Sequence, residues 1–186
     1  NTLPYTTLFR SAKIVAIVTS VVSAAKFYEG QLKELFGDII DTKLFSFEDN
    51  SISKIINADI VMLSTYSIYE TIKKNISDGC EIVIPNLTLS KIVLKQIKEI
   101  PSGTKCMLVN SSVDMCIDTI SLFSQLGINH LELIPVYPGI NNIIKLDFAI
   151  TPGESKFVPK NTKKVMDIGD RILDTSTIIE IVLKLK

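Results

Sequence analysis

The chain of 186 residues has no tryptophan, a single histidine, His130, and only three cysteines, Cys80, Cys106 and Cys116. The cysteines show no paired spacing of the kind that zinc sites use, and their number is odd. We therefore expect buried thiols in a reducing compartment rather than disulfides or metal ligands. One histidine also leaves little scope for acid–base chemistry or for a catalytic triad.

An excess of charge of either sign is missing too, because 20 basic residues face 20 acidic ones. Without a basic excess we predict no direct contact with nucleic acid or with anionic membranes. No apolar run approaches the roughly 18 residues that a membrane-spanning helix needs. We therefore expect a cytoplasmic protein.

The motifs of common enzyme classes are also missing. The segment 20–25 after the first predicted strand reads Ser-Val-Val-Ser-Ala-Ala and lacks the glycines of a dinucleotide-binding turn. Neither a Walker-type phosphate loop nor a nucleophile elbow is present in the sequence. Scattered carboxylates such as Asp114 and Asp118 follow no metal-binding pattern. These observations predict a chain without enzymatic activity, cofactor or metal.

Residues 1–11 do not resemble the start of a protein, since the segment begins with Asn1 rather than methionine. Residues 4–11, Pro-Tyr-Thr-Thr-Leu-Phe-Arg-Ser, match one reading frame of a common sequencing-adapter oligonucleotide. We interpret residues 1–11 as a non-native scar and exclude them from fold reasoning. We also expect the remaining chain to be a fragment of a longer protein.

Short apolar runs alternate with amphipathic segments along the rest of the chain. The apolar and alternating runs predict strands at 13–19, 42–47, 59–65, 81–85, 105–109, 131–137, 147–151 and 164–168. Helical spacing of apolar residues predicts helices at 22–36, 52–56, 67–76, 87–100, 112–126 and 175–186.

This alternation predicts an α/β fold with a mostly parallel sheet flanked by helices, Rossmann-like in character and divided into two sub-lobes. The Pro-Ser-Gly break at 101–103 is the best boundary in the sequence. We therefore predict a first lobe at 12–100 and a second at 101–174. The helix at 175–186 would follow as a signalling or linker helix.

Hydroxyl and amide side chains follow the predicted strands, where ligands bind in open α/β sheets. Six such clusters at one sheet edge would suit a small polar or anionic molecule. The same residue types also favour helix N-caps whatever the function, so each cluster has a purely structural explanation as well. The candidate ligand-binding residues are Thr19, Ser20, Ser64, Thr65, Tyr66, Asn86, Asn110, Ser111, Ser112, Tyr137, Thr151, Glu154 and Arg171.

Arg171 is the only arginine outside the excluded segment. A lone guanidinium near a cleft is well shaped to hold a carboxylate through two parallel hydrogen bonds. It is equally able to pair with Asp167, Asp170 or Asp174 as a structural lock. The sequence leaves both interpretations open.

The segment 127–139, Gly-Ile-Asn-His-Leu-Glu-Leu-Ile-Pro-Val-Tyr-Pro-Gly, together with 147–154 and 165–181, resembles the amino-terminal region of certain sigma-54-dependent transcriptional regulators of anaerobic Gram-positive bacteria. In that family a sensory α/β region precedes a PAS domain, an AAA+ ATPase and a helix-turn-helix. The resemblance implies a signal-sensing domain that binds a small metabolite. It also implies that contacts with sigma-54 RNA polymerase and DNA belong to missing domains.

Two further features of the sequence support other interpretations. The apolar stripe of the helix at 175–186 suits a homodimer, and it suits packing on the sheet about as well. A second hypothesis is a small hydrolase or lyase that uses His130 with Glu132 or with one of the aspartates. A third is an interaction module without a ligand, which dimerises through its last helix.

Overall fold

The computed structural model describes residues 12–141, 144 and 146–186. The predicted non-native segment 1–11 lies outside these described residues. The chain divides into two compact units: a first unit of residues 12–87 and 173–186 and a second unit of residues 88–172. The short strands β5 (Leu87–Thr88) and β10 (Ile172–Leu173) span the two crossings between units.

The first unit is a four-stranded parallel sheet in the order β2-β1-β3-β4. Its strands are β1 (Lys13–Thr19), β2 (Ile40–Ser46), β3 (Ile60–Leu63) and β4 (Glu81–Val83). Its helices are α1 (Val22–Phe36), α2 (Tyr66–Ile72) and α5 (Thr175–Lys184), with 3₁₀ turns at Gly37–Ile39, Ser51–Ser53 and Lys73–Asn75.

Apolar residues alternate between the two faces of this sheet, and helices cover both. One face packs against α1 and α5, with Leu32 and Ile181 fully buried. The other face packs against α2, with Ile68 and Ile72 buried. Continuous apolar strands are expected for a parallel sheet that is covered on both sides.

The second unit repeats the same strand arrangement, in the order β7-β6-β8-β9, and all its strand pairs are parallel. Its strands are β6 (Lys105–Val109), β7 (Glu132–Val136), β8 (Phe148–Thr151) and β9 (Lys164–Asp167). Its helices are α3 (Lys91–Lys98) and α4 (Val113–Gln125), with a 3₁₀ turn at Ser155–Phe157. The α/β, Rossmann-like prediction is confirmed.

In the part of the second unit that the structure describes, helices cover one face of the sheet and not the other. The covered face packs against α3 and α4, where Ile97, Cys116 and Phe123 are fully buried. Among the described residues, the opposite face packs against partly buried side chains from irregular segments and the 3₁₀ turn: Leu146, Phe157 and Val158.

The units do not divide where the sequence suggested. Residues 101–103 form a local turn inside the second unit, in which the Thr104 amide donates to Pro101 O at 3.2 Å. The preceding helix α3 contributes Ile97 to the same core as β6, so residues on both sides of 100–101 lie in one unit. Likewise, residues 175–186 belong to the first unit, because Ile181 on the predicted signalling helix is fully buried there.

Two predicted helices differ from the structure. Residues 52–56 form a 3₁₀ turn and a single parallel bridge between Ile56 and Ile76, because Ile56 uses its backbone groups for pairing. The helix predicted to begin at 87 begins at Lys91, because the Ser90 hydroxyl caps it by accepting from the Val93 amide at 3.3 Å.

Candidate ligand-binding site

Each sheet has a topological switch point, which is the gap between two neighbouring strands whose following connections run to opposite sides of the sheet. In the first unit it lies between β1 and β3, and in the second between β6 and β8. Ligands in open α/β sheets bind beyond the strand carboxyl ends at such points. The candidate residues therefore do not share one edge: Thr19 to Asn86 belong to the first unit, and Asn110 to Arg171 to the second. The candidate residues are thus divided between the edges of two sheets.

In the first unit, the Thr19 side chain has a structural role, whereas the side chain of its neighbour Ser20 is free in the part of the chain that the structure describes. Thr19 is fully buried and its hydroxyl donates to Val21 O at 2.8 Å, so it closes the turn into α1. Ser20 is exposed, and its side chain has no hydrogen bond within the described chain. Ser64 is half-buried and its amide donates to Val18 O at 3.0 Å, which leaves its hydroxyl available.

The end of β3 continues into an exposed polar turn. The Thr65 and Ser67 hydroxyls lie 2.9 Å apart and form a hydrogen bond in which either one can donate. Tyr66 is 64% exposed, and its ring lies 6.2 Å from that of Tyr69. These side chains place hydroxyl groups and an aromatic face on solvent beside the switch point.

Asn86 does not belong to this group. Its amide donates to the Thr177 hydroxyl at 2.8 Å, and its carbonyl accepts from the Asp174 amide at 2.9 Å. Its side-chain amide also donates to the Ser176 hydroxyl at 3.3 Å. Asn86 therefore ties the loop after β4 to the start of α5, which is a structural role.

Sequence reasoning missed a carboxylate at the switch point of the first unit. Helix α1 has no side-chain cap of its own, and its first amide, that of Val22, donates to Glu48 Oε2 at 2.8 Å. Glu48 thus occupies the position that an anion takes at a helix N-terminus. The signal was available, because Glu48 follows the predicted strand 42–47 directly.

The loop after β2 contains a second group that was missed. The carboxylate of Asp49 accepts from the Ser51 hydroxyl at 2.6 Å and from the Ser46 hydroxyl at 2.8 Å. These hydrogen bonds, led by those from Ser51, lower the pKa of Asp49 to about 2. The loop that carries Glu48 is therefore held by its own hydrogen bonds.

In the second unit, the end of β6 is a capping arrangement. Asn110 is buried, and its side-chain amide donates to Met115 O at 3.1 Å and to the Thr119 hydroxyl at 3.3 Å. The Ser112 hydroxyl caps α4 by accepting from the Met115 amide at 3.2 Å. Ser111 stays exposed beside them. Asn110 and Ser112 therefore fix the helix rather than face a ligand.

The loop after β8 is held by hydrogen bonds to the end of β9. Asp167 accepts from the amides of Gly153 and Gly169, each at 2.9 Å, and from the Ser155 hydroxyl at 2.7 Å. Burial acts to raise the pKa of Asp167, but the three donors outweigh it and hold the pKa below its ordinary value. Gly153 has a φ of 78°, which favours glycine in this loop.

Thr151 and Glu154 belong to the same loop and are largely occupied. Thr151 is fully buried and its hydroxyl accepts from the Glu154 amide at 3.1 Å. The buried Oε2 of Glu154 forms an ion pair with Lys156 Nζ at 3.3 Å that lacks hydrogen-bond geometry. Tyr137, half-buried after β7, has a hydroxyl without a hydrogen bond in the described chain.

Arg171 differs from the other candidate residues in having a charged side chain without a partner among the described residues. Its side chain is half-buried, and within the described residues it forms neither a hydrogen bond nor an ion pair. The aspartates nearby in sequence are directed elsewhere: Asp167 binds the glycine amides, and Asp174 caps α5 through the Ser176 amide at 2.6 Å. Among the described residues, none of Asp167, Asp170 and Asp174 forms an ion pair with Arg171, so no structural lock of this kind is present there.

His130 does not lie at the carboxyl end of a strand. It precedes β7, at the amino end of the strand, and its half-buried ring has a buried Nε2 without a hydrogen bond in the described part. Glu132, its supposed partner, forms an ion pair with Lys105 at 3.1 Å. The geometry offers the hydrolase or lyase hypothesis no catalytic pair at a strand carboxyl end.

Among the described residues, no group of three or more His, Cys, Asp or Glu side chains is placed to hold a metal ion. In the same part of the chain, no helix is both long and apolar enough to cross a bilayer. Comparisons of the chain with protein-family models, with curated proteins and with solved structures found no match.

Proposed function

We propose that this chain is the signal-sensing domain of a sigma-54-dependent transcriptional regulator and binds a small anionic metabolite. The observation that carries the proposal is Arg171, a half-buried guanidinium with no anionic partner among the described residues. Leaving a partly desolvated charge unpaired is costly, and a ligand carboxylate or phosphate would relieve that cost through paired hydrogen bonds. The resemblance of segments 127–139, 147–154 and 165–181 to such regulators supports the same function.

The proposal places the ligand's anionic group against Arg171, beside the loop after β8. Gly153, whose Cβ position would lie 3.5 Å from Asp170 Oδ1, brings that loop near the residue before Arg171. The hydroxyl of Tyr137 is a further candidate donor. In a complete cytoplasmic regulator, ligand binding would favour one conformation of the sensor and so bias the missing ATPase and DNA-binding domains.

Thermal denaturation with a panel of organic acids, amino acids, acyl-CoA and sugar phosphates tests this proposal. A ligand should raise the Tm of the protein, because binding to the folded state alone stabilises it. The rise should disappear in Arg171→Ala and shrink in Arg171→Lys, since lysine lacks the planar fork that pairs with a carboxylate.

Lys98→Ala is the matched control, because it removes one exposed cation from α3 of the same unit. It should retain the full rise in Tm. A panel without any effect on Tm, or an equal rise in Arg171→Ala, would overturn the proposal.

The α5 helix favours a second function, that of a dimerisation module. Its inner face is buried, whereas Ile179, Val182 and Leu183 are 54%, 42% and 59% exposed. We propose a homodimer that covers this stripe, as a signalling helix would. Light scattering of Ile179→Glu with Leu183→Glu should report a monomer where the unaltered chain is a dimer. An unaltered chain that is monomeric at high concentration contradicts this proposal.

A further inference from the structure

The face of the second sheet that lacks helices contains a cavity. Its volume is about 330 Å³, within the range of about 300–1,000 Å³ typical of ligand pockets. Its lining combines an apolar floor with a polar rim: Met107, Leu146, Asp147, Pro159, Lys160, Asn161 and Thr162. This cavity is separate from the strand carboxyl ends, because Asp147 and Thr162 precede β8 and β9.

The floor of the cavity is apolar because of the pleat of β6. Met107 is fully buried and points to the same face as Val109, whereas Cys106 and Leu108 point to the helix-covered face. Leu146 packs against the same cluster from the segment before β8. An apolar floor of this kind favours the compact hydrocarbon part of a ligand.

The rim of the cavity is preformed. Pro159 O accepts from the Thr162 amide at 3.0 Å and from the Thr162 hydroxyl at 2.8 Å, which closes a tight turn. Asp147 O accepts from the Lys164 amide at 2.8 Å, which ties the start of β8 to β9. Both sides of the rim are thus fixed before any ligand arrives, which lowers the ordering cost of binding.

The charged side chains on the rim differ in whether they have a partner. The Asp147 carboxylate forms an exposed ion pair with Lys163, with Nζ and Oδ2 2.8 Å apart. Lys160 and Asn161, at the tip of the turn, make no hydrogen bond or ion pair within the described residues. The rim therefore offers one uncompensated ammonium group and one free amide to a ligand.

We infer that this cavity binds a small organic monoanion with a compact apolar body, such as a short branched-chain carboxylate. The hydrocarbon part lies on Met107 and Leu146, and the carboxylate faces Lys160 and Asn161. A zwitterionic amino acid fits less well, because Asp147, the one carboxylate among the described lining residues, is already paired with Lys163.

Methyl NMR on the whole chain tests this inference with 4-methylpentanoate as the probe. The chain has four methionines, so ¹³C-labelled methionine methyl groups give four signals, and Met107→Leu assigns the one in the cavity. The probe should shift the Met107 signal in a saturable manner. The signals of Met62, in the core of the first unit, and of Met115, on α4, should stay unchanged.

Two matched comparisons test the charge. The neutral isostere 4-methylpentanamide should bind more weakly than the carboxylate, and leucine should do so as well. Lys160→Gln should lower the affinity for 4-methylpentanoate about two- to fivefold, as expected for the loss of one exposed ion pair. Lys91→Gln, an exposed lysine at the start of α3, should leave the affinity unchanged.

Three outcomes would overturn the inference. The first is a Met107 signal that does not move up to the solubility limit of the probe, and the second is equal movement of all four signals. The third is equal affinity for the carboxylate and the amide, which would leave an apolar pocket without anion selectivity. None of these outcomes bears on Arg171, so the proposed sensor function is tested separately.

Discussion

The two units share one strand order and differ in what covers the sheet. Helices α1 and α5 cover one face of the first sheet and α2 the other, whereas irregular segments cover one face of the second. The helix-covered sheet has buried residues on both faces, and its free polar groups lie at the strand ends. The second sheet contains a cavity against its loop-covered face. Replacing a helix by loops therefore opens room for binding without changing the topology.

Cysteine reactivity offers the largest contrast between the units. Cys80, in the first unit, is half-buried, whereas Cys106 and Cys116 are fully buried in the second. Burial also raises the pKa of Cys106 to about 11, which suppresses its reactive thiolate. With a thiol-specific disulfide reagent we expect one fast cysteine and two that react slower by on the order of a thousandfold or more, because they must await unfolding.

Cys80→Ser should abolish the fast phase and leave the slow one. Three fast cysteines in native buffer would mean that the loop-covered unit opens freely. The two units would then differ in stability as well as in the segments that cover their sheets.

Two buried methionines at strand centres allow the packing to be compared by identical substitutions. Met62 lies in β3 against the helix-covered core, and Met107 lies in β6 beside the cavity. Methionine to alanine in a core costs about 2–5 kcal/mol, depending on how much contact is lost. We expect Met62→Ala near the upper end and Met107→Ala near the lower end, because the buried cluster around Met107 has fewer members than the helix-covered core around Met62 and so offers fewer contacts to lose.

Urea unfolding, combined with hydrogen exchange at β3 and β6, measures both losses of stability. Equal costs for the two variants would show that the segments over Met107 pack as tightly as helices do. The cavity would then lack the open floor that binding requires.

These contrasts mark what the sequence could and could not predict. Apolar runs located the main strands, and Ser112 was recognisable as a cap because it precedes an amphipathic helix. The division into units escaped prediction because the local turn at 101–103 resembles a linker, whereas the real crossings lie in two short strands. The points at which the chain crosses from one unit to the other depend on which strands pair in the folded protein. Such pairing leaves no periodic pattern in the sequence.

The state of Arg171 could not be predicted for a similar reason. Three aspartates lie within four residues of it in sequence, and sequence alone does not say where each points. Asp167 is directed to the amides of Gly153 and Gly169 by a loop that begins some 14 residues earlier. Partners at that separation become visible only when the strands are paired.

The starts of α1 and α4 provide a smaller contrast between the units. Ser112 caps α4 locally, whereas the Val22 amide of α1 relies on Glu48, which is 26 residues away. Ser112→Ala should cost about 1 kcal/mol of unfolding free energy, as N-cap losses do. Glu48→Ala should cost about 0.3–1 kcal/mol, the usual worth of a charge at a helix terminus.

Salt separates the two causes. The contribution of Glu48 should shrink in 1 M NaCl, because an exposed charge is screened, whereas that of the neutral Ser112 hydroxyl should persist. If the cost of Glu48→Ala does not change with salt, the carboxylate acts by holding its loop and not by its charge.

The smallest contrast is between two aspartates that accept several hydrogen bonds, Asp49 after β2 and Asp167 at the end of β9. Both have a lowered pKa in the folded protein: Asp49 through donors led by Ser51, and Asp167 through three donors that outweigh burial. A lowered pKa gives stability that is complete above the unfolded value of about 3.9 and is lost as the pH falls through the folded value. For Asp49 the loss extends down to about pH 2.

Asp49→Asn and Asp167→Asn should each flatten the fall of the urea midpoint below about pH 4, because the variant side chain no longer titrates. Both groups are exposed to solvent, so the changes should be smaller than those from the helix caps. Glu34→Gln, an exposed carboxylate on α1, is the control and should follow the unaltered chain. An acid slope that is unchanged in Asp167→Asn would mean that protonation does not break its contacts. The loop beside Arg171 would then keep its shape in acid, and ligand binding there should lose affinity only when the ligand itself is protonated.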